Sequence, residues 1–186
     1  MSGLFFRLAF IALFFGATLP NAGAQSATDT LPFPQSWEGK WTGELEIFSP
    51  KGKVQSLPME LHILPLSAGH WTWTLIYGED KVAGKRDYEL IEIDPAKGLY
   101  KVDEKNTIVL EGYFLGGKFF QRFEVMGSLI LTSTEKTGPD TLHWEIISGN
   151  LTPVSTTGGE PFQGENIPPV NGYEIQVLQR ALLKKS

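Results

Sequence analysis

Trp37-Glu38-Gly39-Lys40-Trp41-Thr42-Gly43-Glu44-Leu45-Glu46-Ile47 is the stretch on which the fold turns. From Lys40 to Phe48 the residues alternate: Trp41, Gly43, Leu45 and Ile47 share one face, and Thr42, Glu44 and Glu46 share the other. Successive side chains of a strand point to opposite sides of the sheet, so the pattern predicts a strand with one buried face. Ser49-Pro50-Lys51-Gly52 follows as a turn.

The same alternation continues outward. A second strand, Val54 to Leu64, places Leu57, Met59, Leu61 and Ile63 together, with Pro58 marking a bulge or an edge. A third, His70 to Tyr77, carries Trp71, Trp73, Leu75 and Tyr77 on one face. In the fourth, Lys85 to Ile93, Arg86, Tyr88, Leu90 and Glu92 oppose Asp87, Glu89, Ile91 and Ile93, and either set could face inward. Asp94-Pro95-Ala96-Lys97-Gly98 reads as a type I turn followed by a glycine with positive φ. Strands are then predicted at Leu99 to Val102, Thr107 to Leu115, Lys118 to Val125, Leu129 to Thr134 and Thr141 to Ser148. Folding about Gly116-Gly117 pairs Phe114 with Phe119, Gly112 with Gln121, Leu110 with Phe123 and Ile108 with Val125, and sets Glu111 opposite Arg122 as a cross-strand ion pair.

Short sequential connections favour an up-and-down antiparallel topology. An open sheet of nine strands would leave two edges exposed, and closure removes them. The expected fold is all-β, an antiparallel up-and-down barrel of about nine to ten strands. Gly172 to Ser186 reads as a closing strand by the alternation of Tyr173, Ile175 and Val177, or as a short helix by propensity. Residues 151–171 are rich in Pro, Gly, Ser and Thr and read as a long irregular loop.

The N-terminus carries no pattern of this kind. Arg7 precedes an apolar run from Leu8 to Phe15, and Ala22-Gly23-Ala24 offers small residues for cleavage. Residues 1–24 read as a signal peptide, residues 25–36 as a flexible lead-in and residues 37–186 as one barrel domain. The implied location is secreted or periplasmic, with no membrane span after cleavage. The chain has a formal charge of −5, which becomes −6 once Arg7 is removed, and this argues against nucleic acid as a partner. It has no cysteine, so disulfides, thiolate catalysis and Cys-based metal sites are excluded.

Gly39-Lys40-Trp41 at the head of such a meander resembles the opening motif of the calycins, the superfamily of lipocalins and fatty-acid-binding proteins. The resemblance implies that Trp41 plugs the closed end of the barrel and that a basic residue late in the chain, Arg180 by position, covers it. It also gives Arg86 and Tyr88 the look of the carboxylate clamp of fatty-acid-binding proteins, provided their face is the lumen. Trp71, Trp73, Phe114, Phe119 and Phe123 would then line an apolar ligand site, or fill the interior as plain core.

His62, His70 and His143 lie at no metal-ligand spacing, so no metal and no cofactor is expected. A haem barrel would need one histidine facing an apolar pocket, and His143 shares its face with Glu145 and Ile147. No nucleophile, phosphate-loop or dinucleotide motif appears. The expected function is an exported barrel binding a small apolar or amphipathic molecule of the lipid or fatty-acid class. The alternatives are a ligand-free envelope scaffold whose loop 151–171 meets a protein partner, and a barrel isomerase or cyclase using Arg86, Tyr88 or His143.

Overall fold

The computed structural model describes residues 31–186. Residues 1–24, read as a signal peptide, and residues 25–30, the first half of the expected lead-in, lie outside the described residues. Ten strands close one barrel: β1 (Gly39–Ser49), β2 (Gly52–Ile63), β4 (His70–Tyr77), β5 (Lys85–Asp94), β6 (Leu99–Asp103), β7 (Val109–Leu115), β8 (Lys118–Val125), β9 (Ser128–Gly138), β10 (Thr141–Asn150) and β15 (Val177–Lys185). A short β3 (Pro65–Ser67) extends the β4 edge. Four small strands, β11 (Ser155–Thr157), β12 (Pro161–Phe162), β13 (Glu165–Asn166) and β14 (Val170–Gly172), pair only among themselves.

Neighbours in sequence are neighbours in the wall, and every pairing is antiparallel. Closure comes from β15, which runs between β1 and β10, with Leu45 opposite Ala181 and Trp144 opposite the same residue from the other side. The C-terminal segment is therefore the closing strand, although it begins at Val177 and leaves Tyr173 and Ile175 outside it, both exposed. Pro58 sits where the β2–β4 ladder starts. Its carbonyl accepts from Gly78 N at 2.8 Å, and β2 before it has β1 alone as neighbour. That is the edge position expected of a residue without an N–H.

The turn after β5 is a single 3-10 turn, Pro95–Lys97, closed by Gly98 at φ 66°. Gly116 and Gly117 have φ 58° and 84°, the pair of positive values a two-residue hairpin needs. The register there is as expected for Phe114 with Phe119, and it includes Leu115 with Lys118 and Tyr113 with Phe120.

The ladder then stops, and this corrects the longer pairing. β7 stays with β6, from Leu99 opposite Tyr113 to Asp103 opposite Val109, while β8 stays with β9 along its whole length. Glu111 does not meet Arg122. Its carboxylate accepts the Tyr113 hydroxyl at 2.8 Å, because the two strands have parted before the expected pair is reached. With three Cα pairs, the β7–β8 seam has the shortest ladder in the barrel wall. Strand limits also move, most clearly at β7 and β9. β7 begins at Val109 because Lys105 and Thr107 take positive φ in the preceding turn, and β9 runs on through Gly138, so the turn into β10 is only Pro139 and Asp140.

Candidate functional site

The inner face of the wall divides into a packed floor and a rim. Trp41 is fully buried in the floor and its indole Nε1–H donates to Trp37 O at 2.9 Å. Trp37 and Phe33 join it from the segment before β1. The Phe33 ring stacks on Phe114 at 4.4 Å and 4°, meets Trp37 edge-on at 4.8 Å and Tyr100 edge-on at 5.0 Å, and lies 5.3 Å from Phe119. The Tyr100 hydroxyl donates to Phe33 O at 3.2 Å. Residues 33–36, read above as the end of a flexible lead-in, are thus part of the plug. Phe33 brings an aromatic ring to an apolar end that would otherwise be open, and that burial outweighs the disorder its prolines suggest.

Trp71 and Trp73 are both buried. The Trp71 Nε1–H donates to Glu38 Oε1 at 2.9 Å, and Trp73 meets Phe119 edge-on at 5.2 Å. Four of the five aromatics named as lining (Trp71, Trp73, Phe114 and Phe119) therefore belong to the floor. Phe123 lies further along β8 and is half-buried.

Arg180 is not the cover of Trp41. It stands opposite Glu46 on the outer wall, where Nη2 and Nε each lie 3.1 Å from the Glu46 carboxylate and the guanidinium rests 4.8 Å over the Phe48 ring. The cover is Lys185, whose Nζ is 5.4 Å from the Trp41 ring centroid. Strand parity is the reason. Ala181 and Leu183 are the buried residues of β15, so Lys185 continues their side and Arg180 takes the other. His143 falls on the outer wall too, in a surface cleft with Glu44, Glu46 and Arg180, which removes it as a proximal haem ligand or an interior catalytic group.

The rim collects polar groups on the inner face. Leu90 is fully buried and Tyr88 half-buried, whereas Ile93 is exposed, so Arg86, Tyr88 and Leu90 are the inward set of β5. Tyr88 stands opposite Trp73 and Arg86 opposite Leu75. Arg86 is exposed, and its Nη1 donates to Lys85 O at 2.9 Å and Ala83 O at 3.2 Å, which fixes the fork at the barrel edge. Burial raises the Tyr88 hydroxyl above its ordinary pKa, and the neighbouring Glu104 carboxylate pushes the same way. Burial also raises Tyr77, with Tyr88 adding to the effect and Arg86 opposing it, so the three side chains sense one another.

Gln121 completes the inner face from β8. It is 7% exposed, and its Nε2 has no hydrogen-bond partner among the described residues. A buried amide donor left without an acceptor costs roughly 1–3 kcal/mol, so a group bound beside it has something to satisfy. It lies on the strand that parts from β7. Gln121, Tyr77 and Glu104 were not singled out from the sequence. Gln121 could have been, since it interrupts the apolar series Phe119, Phe123, Val125.

The buried phenols carry a pH prediction. Burial, helped by the nearby Glu92 carboxylate, pushes Tyr100 up to about 12, and Tyr77 is raised as well. In the unfolded chain a phenol ionises near pH ~10, so above that value the unfolded state holds fewer protons than the folded one. Their contribution is complete below about pH 10 and is lost as pH rises through the folded values. The urea midpoint should fall steeply from about pH 10 to about pH 12, and Tyr77→Phe with Tyr100→Phe should flatten that fall. An equally steep fall in the double variant would rule these two groups out as its cause.

Among the described residues no helix is long and apolar enough to cross a membrane. No family model matches the chain, and no curated protein sequence matches it. Among solved structures it is similar to a protein of unknown function from the DUF3598 family of Nostoc punctiforme, with TM-score 0.57 and 13% identity over 82% of this chain and 48% of that one. It is also similar to the S-type phycobiliprotein lyase CpeS of Guillardia theta, with TM-score 0.50 and 9% identity over 82% of this chain and 89% of that one. The chain spans about half the length of the first of these. At such identities the likeness speaks for fold alone, the closed antiparallel up-and-down barrel of ten strands.

Proposed function

We propose that the chain is exported and that its barrel binds a small amphipathic molecule of the fatty-acid or lipid class. The observation that carries this reading is the placement of Arg86 and Tyr88 together on the inner face, above a floor sealed by aromatic rings. A guanidinium has five N–H donors, and the two carbonyl bonds of Nη1 leave others to meet a carboxylate or phosphate head. The Tyr88 hydroxyl adds a donor beside it. The apolar tail would lie against inner-face groups such as Leu57, Tyr77 and Ile146, which pack on the core and are only partly buried.

Native mass spectrometry of the chain purified from its own host tests the reading directly. A discrete lipid adduct on a chain that begins at Gln25 is the expected result and would support both the ligand class and the export. A bare mass that stays bare after incubation with a panel of fatty acids would exclude the carrier. Arg86→Gln should weaken binding of a fluorescent fatty acid by about 10–100-fold, the worth of a hydrogen bond to a charged group, and Tyr88→Phe by less. Unchanged affinity in Arg86→Gln would move the head group elsewhere.

A further inference from the structure

Residues 152–171 are exposed throughout, and no strand of the barrel pairs with them. They are nevertheless ordered by their own contacts. Ser155 stands opposite Gly172 and Thr157 opposite Val170, Gly159 N bonds Ile167 O at 3.1 Å, and Phe162 stands opposite Glu165. The result is a two-stranded arm, not the irregular loop read from its Pro and Gly content. A two-stranded ribbon is marginal in water by itself, and this one, among the described residues, exposes Val154, Val170 and, at its tip, Phe162 at 64%. Its only charged residues are Glu160 and Glu165.

The outer wall beside the root of the arm carries a groove of about 570 Å³. Leu129, Leu131 and Ile147 form its base, and Tyr173 and Ile175, the residues just after the arm, form one side. Arg122 stands on the rim and makes no ion pair among the described residues. Glu174, on the same rim, accepts from Gln176 Nε2 at 3.0 Å. None of residues 152–171 lines the groove, so a chain's own arm does not fill it.

We infer that the chain forms a two-fold dimer by arm exchange, with Phe162 of each copy seated in the groove of the other and Glu160 and Glu165 facing Arg122. Arm and groove match in apolar character, and Arg122 offers a counter-charge to the arm's two carboxylates. The root of the arm adjoins the groove, so an isologous contact in which each arm reaches the other copy's groove uses both arms and both grooves, and the assembly closes. The inference does not rest on the ligand reading, because every residue it uses lies outside the barrel lumen.

Sedimentation equilibrium at micromolar concentration should give a dimer. Phe162→Asp should weaken it by at least about tenfold, as expected for loss of a central aromatic anchor. Arg122→Glu should weaken it too, and Glu160→Lys with Glu165→Lys in the same chain should restore it. Phe162 and Arg122 are both exposed, so these variants leave the barrel folded. The absence of cysteine allows a second measurement: mixing a Phe162→Cys chain with a Leu131→Cys chain should give a disulfide-linked heterodimer on mild oxidation. A monomer at every concentration, a dimer indifferent to Phe162→Asp, or no such cross-link would overturn the inference.

Discussion

Replacing Trp41 with Ala is expected to lower the unfolding free energy by about 3–5 kcal/mol, the range for deleting a buried Trp or Phe from a core. Trp41 has no exposed surface. It stands opposite Leu61 on β2 and Lys185 on β15, so it joins the second strand to the closing one. Its removal would also strip Trp37 O of the indole N–H and take away the surface on which the Lys185 side chain rests. Domains of this size have a total stability of only about 5–15 kcal/mol, so the variant should unfold at far lower urea. Trp41→Phe should keep most of the packing and lose the hydrogen bond, at a cost of about 1–3 kcal/mol. Urea unfolding with the slope checked for constancy measures both. A loss below about 1 kcal/mol in the Ala variant would mean that the floor rearranges to fill the space.

The second large effect centres on Phe119. Its ring lies over Gly112, so that a Cβ on residue 112 would run into the ring atoms Cζ and Cε2. The ring cannot yield easily, because Trp73 lies at 5.2 Å, Phe33 at 5.3 Å and Tyr100 at 6.1 Å. Phe119→Ala should cost about 3–5 kcal/mol by leaving a hole at the centre of the floor. Gly112→Ala should cost about 1–3 kcal/mol by overpacking it. The two sites share one volume, so a smaller side chain at 119 should relieve the methyl at 112. Gly112→Ala in a Phe119→Leu background should cost less than in the parent, with a coupling of about 0.5–3 kcal/mol. Strict additivity would show that ring and glycine do not compete for that space.

The barrel was legible because alternation, turn residues and short connections all pointed to one topology. Leu45, Met59, Leu61 and Trp73 read as inward and are inward. Parity also carried information that position along the chain did not. Val177 to Lys185 has Ala181 and Leu183 on its buried side, so Lys185, not Arg180, falls with Trp41. On β5 the two faces are equally mixed in the sequence. The choice between them comes from the pairing with β4, where Trp73 and Leu75 bring Tyr88 and Arg86 with them.

Two features escaped because each depends on distant residues. Phe33 is a lone ring between prolines, and nothing local says that Phe114 and Tyr100, far along the chain, leave a space for it. The parting of β7 from β8 is equally silent, since Glu111 and Arg122 are well matched as an ion pair and the wall still separates them. The arm was hidden by its composition: Gly158, Gly159 and Gly164 read as loop residues, yet they supply the corners between its short pairings.

The last strand has a consequence for how the molecule comes to be. β1 is made first among the barrel strands, and one of its two edges finds its partner only when Val177 to Lys185 has left the ribosome. Through the synthesis of some 130 intervening residues that edge is an open template, facing any other extended chain nearby. The pairing that ends this exposure is also the one with the greatest sequence separation, so it belongs to the slow part of the folding reaction. A nascent chain paused before Val177 should bind chaperones or aggregate, and release of the closing segment should be the event that makes it resistant to protease.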